Sequence, residues 1–302
     1  MSDRVIELRL WRQFLALAGE LHFGRAAGQL HMTQPPLTQA LAQLEALLGV
    51  RLFDRTKRSV TLTAAGAALV PEVQALVARA LALPGYARAA AGGEMGRLRL
   101  AFVSTVGFSL LPQWVRAFRQ QYPQVQLELI EATGDVQLQL LERGAVDAGF
   151  MLHAPGFAPG GLTRRLLASE PLVVALSEHH ALASASSLTL AKVLGEPLVI
   201  FPRRIVPSLY DAIFAMYHAA GRSPHVAQEA IQMQTIVNLV SAGLGLAWVP
   251  QSVRQFQRPG VIYREISAAK GRELPGCETS LVWAAGKANP VLDRFLAFAG
   301  AL

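Results

Sequence analysis

Residues 23–55 read FGRAAGQLHMTQPPLTQALAQLEALLGVRLFDR, and this stretch decides the fold of the N-terminal part of the chain. Its first segment, from about Gly24 to Leu30, suits a short helix. A second helix begins near Thr33 and runs to Leu48, with Leu37, Leu41, Leu44 and Leu48 on one stripe at helical spacing. Thr33 is placed to cap that helix, Pro35 and Pro36 fit only its first turn, and Gly49 is placed to end it. Two helices joined by a tight turn, the second opening on polar residues, describe a helix-turn-helix. Such a second helix fits the major groove and presents its N-terminal side chains to base edges. Here those are Thr33, Gln34, Pro35, Thr38 and Gln39. Glutamine pairs bidentately with adenine, and threonine offers a hydroxyl together with a methyl for thymine.

The flanks extend this picture. Upstream, Leu8, Trp11, Phe14, Leu15 and Ala18 make one apolar helix face. Downstream, Arg51 to Thr63 reads as β structure around a polar turn, Asp54 to Ser59. Arg51, Arg55, Lys57 and Arg58 load that turn with charge suited to the phosphate backbone or the minor groove. After Thr63, Leu69, Val73, Leu76, Ala80 and Leu83 repeat at spacings of 4, 3, 4 and 3, a narrow seam suited to a second copy of itself. Packing on its own domain fits the same spacing equally well. Pro71 implies a kink or a delayed start, and Pro84–Gly85 with Gly92–Gly93 mark the linker.

Beyond the linker, short β-branched runs alternate with helical patterns. The expected strands are Leu98–Val103, Val125–Ile130, Ala148–Met151, Leu172–Leu176, Leu198–Phe201, Ala247–Val249 and Ser280–Trp283. The expected helices are Leu110–Gln121, Val136–Arg143, Leu209–Ala220, Thr235–Ala242 and Val291–Phe298. This rhythm implies a mostly parallel sheet with covering helices.

Composition agrees with a multi-domain globular chain: 302 residues, 52% hydrophobic and 16% charged, with a net charge of +7. Residues 1–90 hold ten Lys/Arg against six Asp/Glu, and residues 91–302 hold eighteen against fifteen. The basic excess is concentrated at the N-terminus, where a reader of a polyanion would sit. The one cysteine, Cys277, excludes an intramolecular disulfide framework and a Cys-based zinc cluster. Asp3, Arg4, Glu7 and Arg9 break the N-terminal apolar residues, so no signal peptide is expected. No uninterrupted apolar run reaches the ~20 residues of a membrane span. A soluble, cytoplasmic protein without a metal or cofactor is expected.

The motifs Phe23-Gly24-Arg25-Ala26-Ala27, Leu30 through Thr38, Leu44 through Arg55 and Val60 through Gly66 resemble the winged helix-turn-helix of LysR-type regulators. The likeness covers nearly all of residues 5–70. The family usually carries serine where this chain has Thr33 and Thr38, and both keep the hydroxyl. The resemblance implies Gln34, Pro35, Thr38 and Arg55 as groove and wing contacts. It implies a DNA-binding domain over 1–66, a dimerisation helix and hinge over 67–92, and a two-lobed α/β effector domain, similar to periplasmic binding proteins, over 93–302. Homotetramers, as dimers of dimers on imperfect palindromes, and contact with RNA polymerase belong to the same expectation.

In such a sheet, ligands sit beyond the strand C-termini and against helix N-termini. Ser104, Thr105, Thr133, Phe201 and Pro202 occupy such positions, and Arg203 and Arg204 add charge for an anion. The effector implied is a small organic acid, aromatic acids included.

Other readings fit less of the chain. No phosphate-cradling Gly-rich loop with its lysine and no Gly-x-Ser-x-Gly elbow is present. His179–His180 lack the spacing that puts two metal ligands on one helix face, and Gly243-x-Gly245 is too short for a dinucleotide fingerprint. An enzyme is therefore not expected. A solute-binding protein accounts for the last two hundred residues but not for the basic, helical N-terminus.

Overall fold

The computed structural model describes residues 5–56, 59–185, 187–266, 274–286 and 289–300. Contacts divide the chain into two compact units, Met1–Arg88 and Ala89–Leu302.

The first unit opens with α1 (Leu8–Glu20), α2 (Phe23–Gln29) and α3 (Gln34–Leu48), followed by an antiparallel wing of β1 (Phe53–Arg55) and β2 (Val60–Leu62). α1 buries Leu10, Phe14 and Leu17, and α3 buries Leu37, Ala40, Leu41 and Leu44. These close on Ala26 and Ala27 of α2 and on Leu52 and Phe53, with the Phe14 and Phe53 rings 5.6 Å apart. Each large side chain taken fully out of water here contributes roughly 1.5–3 kcal/mol. Between α2 and α3 the backbone turns through His31, at φ +51, and Met32 N–H donates to the Ala27 carbonyl at 3.0 Å. That bond shuts the turn and fixes where α3 begins.

α4 (Ala64–Ala91) leaves the wing at a tight junction. The Thr63 hydroxyl donates to the Arg51 carbonyl (2.8 Å) and accepts from Gly66 N–H (3.0 Å). A Cβ on Gly66 would lie 2.2 Å from the Leu52 carbonyl oxygen, so only glycine lets the helix approach this closely. Both Pro71 and Pro84 lie inside α4, which corrects the expected delayed start at Pro71 and the expected linker at Pro84–Gly85. Runs of alanine and leucine on both sides favour helix strongly enough to carry the backbone through two missing hydrogen bonds. Val73 packs on the first unit's core, while Leu76, Leu81, Leu83 and Tyr86 are exposed. The seam is thus used by its own domain at its start and lies open further on. By length and composition α4 is also long and apolar enough to cross a membrane.

The second unit carries β3 (Met95–Phe102), α5 (Ser104–Gly107), α6 (Leu110–Gln121), β4 (Gln124–Glu131), α7 (Gly134–Glu142), β5 (Ala148–His153) and the long β6 (Thr163–Ser177). There follow α8 (Leu190–Val193), β7 (Leu198–Ile200), α9 (Pro207–Ala219), β8 (Val226–Glu229), α10 (Met233–Ser241) and β9 (Ala247–Pro250). A 3-10 helix (Gln251–Phe256), β10 (Val261–Arg264), β11 (Gly276–Trp283) and α11 (Pro290–Ala299) complete it. Among the described residues the main sheet runs β10-β6-β11-β5-β3-β4, with β9 also on β6, and β7 pairs β8 separately.

This curled sheet serves two lobes. In the first lobe, Leu98, Leu100, Phe150 and Leu281 of the sheet pack against Trp114 and Phe118 of α6 and Phe295 and Phe298 of α11. In the second, Leu172 to Leu176 pack against Leu209 and Ile213 of α9 and Ile236, Val237 and Val240 of α10. β6 passes from one lobe to the other: Thr163–Pro171 pairs with β11, and Leu172–Ser177 pairs with β9 and β10. The sheet is mixed, which corrects the expectation of mostly parallel pairing. β3 is parallel to β4 and β5, but β11 runs against β5 and β6 because the chain returns to the first lobe from the second.

Candidate nucleic-acid interface and effector cleft

α3 presents Gln34, Pro35, Thr38, Gln39 and Ala42 on one surface, opposite the buried Leu37–Leu41–Leu44 stripe. Their spacing of three and four residues (35/38 and 39/42, 34/38, 35/39 and 38/42) places them on one helical face. Thr33 holds the N-cap backbone position, but its hydroxyl makes no capping bond. An N-cap side chain accepts from the amides of the second or third helical residue, and here those are Pro35 and Pro36, which have none. The expected capping role is therefore corrected, and the exposed hydroxyl stays available to a phosphate or base. The Thr38 hydroxyl donates to the Gln34 carbonyl at 3.1 Å, leaving acceptor capacity and a methyl.

Arg55 is held against the body of the unit. Its guanidinium donates to Glu45 at 2.6 Å and lies 5.3 Å from the centre of the Phe23 ring, with 30% of the side chain exposed. The other Glu45 oxygen accepts the Leu52 and Phe53 amides at 2.8 and 3.1 Å. Glu45 thus ties the recognition helix to the wing, a role that spacing alone did not expose. Lys57 and Arg58 lie outside the described residues; Arg51 is exposed.

In the second unit, Ser104, Thr105, Thr133 and Phe201 line one cleft between the lobes, together with Val103, Leu152, Ile205, Val206, Gln232 and Met233. The cleft encloses about 460 Å³, its open mouth included. Thr105 is 6% exposed, and its buried hydroxyl has no hydrogen-bond partner among the described residues. Thr133 and Gln232 occupy the N-cap positions of α7 and α10, and neither side chain caps its helix. The Thr133 hydroxyl donates instead to Asp135.

Three expected residues fall elsewhere, Arg204 among them, which lines a separate cleft. Pro202 is buried off the cleft surface, and Arg203 is exposed, bound to both Asp211 oxygens at 2.7 Å. That ion pair draws its guanidinium away from the cleft and holds the Asp211 carboxyl below its ordinary range. Ile205, Val206, Gln232 and Met233 were missed. Their one sequence signal is their place just before or at the start of α9 and α10. Cys277 is fully buried, and burial, with Glu170 and Glu278 nearby, pushes its thiol far up.

Comparison with known proteins gives this geometry a family. Residues 8–67 match the model "Bacterial regulatory helix-turn-helix protein, lysR family", and residues 91–302 match "LysR substrate binding domain". The HTH-type transcriptional regulator IlvR of Caulobacter vibrioides is 43% identical over 292 residues, covering 96% of each chain. The regulator AlsR of Bacillus subtilis is 35% identical, over 96% of this chain and 94% of its own. Among solved structures, CbnR, a LysR family transcriptional regulator, superposes with a TM-score of 0.81 at 29% identity, covering 97% of this chain and all of its own. Full-length CbnR complexed with its target DNA matches at 0.80 and 28%, over 98% and 99%. The chain belongs to the LysR family of DNA-binding transcriptional regulators.

Proposed function

We propose that this regulator reads its operator through Thr33, Gln34, Pro35, Thr38 and Gln39, steadies itself on phosphates with the wing, and responds to a small organic acid in the interlobe cleft. Lys57, Arg58 and Arg51 supply the phosphate charge, and Arg55 adds what its pairing with Glu45 leaves free. α4 pairs with a second copy through Leu76, Leu81, Leu83 and Tyr86, which covers that apolar face without a membrane and builds toward a dimer of dimers. Work on chromosomal DNA puts the protein in the cytoplasm, and RNA polymerase is its partner at the promoter.

The observation that carries the effector reading is the buried, unpartnered Thr105 hydroxyl in a cleft walled by apolar groups. A buried hydroxyl without a partner costs on the order of 1–3 kcal/mol, so a ligand that satisfies it recovers that energy. The N-termini of α7 and α10 stand beside it and favour a carboxylate over a neutral group. Phe201, Leu152 and Ile205 cover an apolar body, aromatic ones included.

The test is calorimetric titration of the full-length protein with a panel of small carboxylic acids and their amides, repeated on Thr105→Val. The expected result is one acid binding at least tenfold better than its amide. Thr105→Val should lose at least tenfold of that affinity while the ligand-free protein melts no lower. A variant that binds normally removes Thr105 from the ligand site.

A further inference from the structure

Beyond the effector cleft lies a second one, on the other side of a contact between the lobes. Gly134 approaches the Ile205 carbonyl so closely that a Cβ there would lie 2.7 Å from the oxygen. One side of this contact opens into the cleft lined by Thr105. The other opens into a cleft lined by Asp135, Leu138, Met151, His153, Phe157, Arg204 and Ser208. The two share only the wall formed by Leu152, Ile205 and Val206.

The polar groups in the second cleft are of two opposite kinds. Arg204, exposed, stands just before α9, whose Ser208 and Leu209 amides have no helical partner at the helix start. Pro207 occupies the first position of that helix, so no amide is lost to it. The Ser208 oxygen accepts from Ala154 N–H at 3.1 Å, which leaves its hydroxyl proton to donate. This end attracts a carboxylate. Asp135, at the start of α7, takes one hydrogen bond from Thr133 and keeps acceptor capacity for a cation. His153 is buried and already engaged: one ring nitrogen lies 2.8 Å from the Ala154 carbonyl and 3.6 Å from the Glu278 carboxylate, and the other lies 2.9 Å from the Ser280 hydroxyl.

The remaining wall is apolar. Phe157 is 69% exposed, yet its loop is anchored. Phe157 N–H donates to the Ala154 carbonyl at 3.0 Å, and Gly156 N–H donates to Glu278 at 3.1 Å. An exposed aromatic ring on a tethered loop over a cleft is a surface waiting for an apolar group.

We infer that this cleft binds a small zwitterion with an apolar side chain, an α-amino acid. Its carboxylate sits on Arg204 and the start of α9, its ammonium on Asp135, and its side chain against Leu138, Met151 and Phe157. Asp135 and Met151 belong to the first lobe and Arg204 and Ser208 to the second, so the ligand favours whichever lobe arrangement brings both ends together. A second small molecule can then bias the same equilibrium as the first, whatever that first ligand is.

Calorimetry on the full-length protein tests this with L-phenylalanine and L-leucine as probes. 3-Phenylpropanoate, which lacks the ammonium, and L-phenylalaninamide, which lacks the carboxylate, serve as truncated probes. At least one amino acid should bind, and each truncated probe at least tenfold more weakly than L-phenylalanine. Arg204→Met should erase the preference over L-phenylalaninamide, and Asp135→Asn the preference over 3-phenylpropanoate. Arg203→Met, whose guanidinium is engaged by Asp211, should behave as the parent. Silence from both amino acids, or equal affinity for the truncated probes in the parent and in Thr105→Val alike, overturns the proposal. So does a loss of L-phenylalanine binding in Thr105→Val with none in Arg204→Met, which would put the ligand in the first cleft.

Discussion

At the start of α3 two adjacent prolines decide what Thr33 can do. Pro35 and Pro36 remove both amides that an N-cap hydroxyl normally satisfies, so the usual cost of replacing a capping threonine, about 0.5–2 kcal/mol, does not apply. Thr33→Ala should therefore leave the urea midpoint of the protein unchanged and weaken operator binding. A clear drop in stability with intact affinity would return Thr33 to a structural role. For Gln34→Ala, loss on operator DNA should exceed loss on random DNA by roughly tenfold, the scale of one base contact; gel-shift titrations on both would show equal losses if Gln34 reads no base. These positions were legible in the sequence because a helix start is written in its own residues. The pairing of Arg55 with Glu45 was not, since it depends on how the nine intervening residues fold back. Cys277 belongs to this scale too. Buried and held in its thiol form, it should resist thiol reagents in the folded protein, and hydrogen peroxide should leave operator binding unchanged. Rapid modification under native conditions would contradict that.

Among the elements, α4 is where sequence and structure part most usefully. The heptad-like seam was visible in the chain, but spacing did not decide between packing inward and pairing outward. In the structure Val73 packs inward, while Leu76 and Leu83 of the same seam are exposed, open to the pairing proposed above. Pro84–Gly85 read as a break because local rules weigh single residues, whereas the helix is set by its whole alanine-rich surround. A similar limit hid the first half of β6, where Arg164, Arg165, Glu170 and Pro171 give no apolar run. Pairing with β11, far along the chain, makes that segment a strand. Two outcomes follow for α4. Gly66→Ala forces a methyl onto the Leu52 carbonyl and should cost roughly 1–3 kcal/mol, read from the urea midpoint. Leu76→Glu with Leu83→Glu should lower the mass seen by sedimentation, because charge on the open seam opposes self-pairing. An unchanged mass would show that another surface joins the copies.

For the whole molecule, the division of labour follows from charge and topology. The basic, helical first unit presents a recognition face and a wing. The second, built on a sheet that passes between two lobes, holds two clefts lined by residues of both lobes, where the proposed ligands would sense how the lobes are arranged. Ligand and DNA are then linked only to the extent that the ligand prefers one arrangement over the other. The winged helix-turn-helix was legible almost residue by residue, because its motifs are local. The clefts were legible only in part, since Ser104, Thr105, Thr133 and Phe201 come together from three separate segments. Footprinting of the purified full-length protein on its genomic DNA, at two salt concentrations and with and without small carboxylic acids, tests the central claim most directly. The account predicts discrete protected sites with two-fold symmetry that persist at the higher salt and change their pattern with one acid. Diffuse protection that disappears as salt rises, indifferent to every acid, would contradict it.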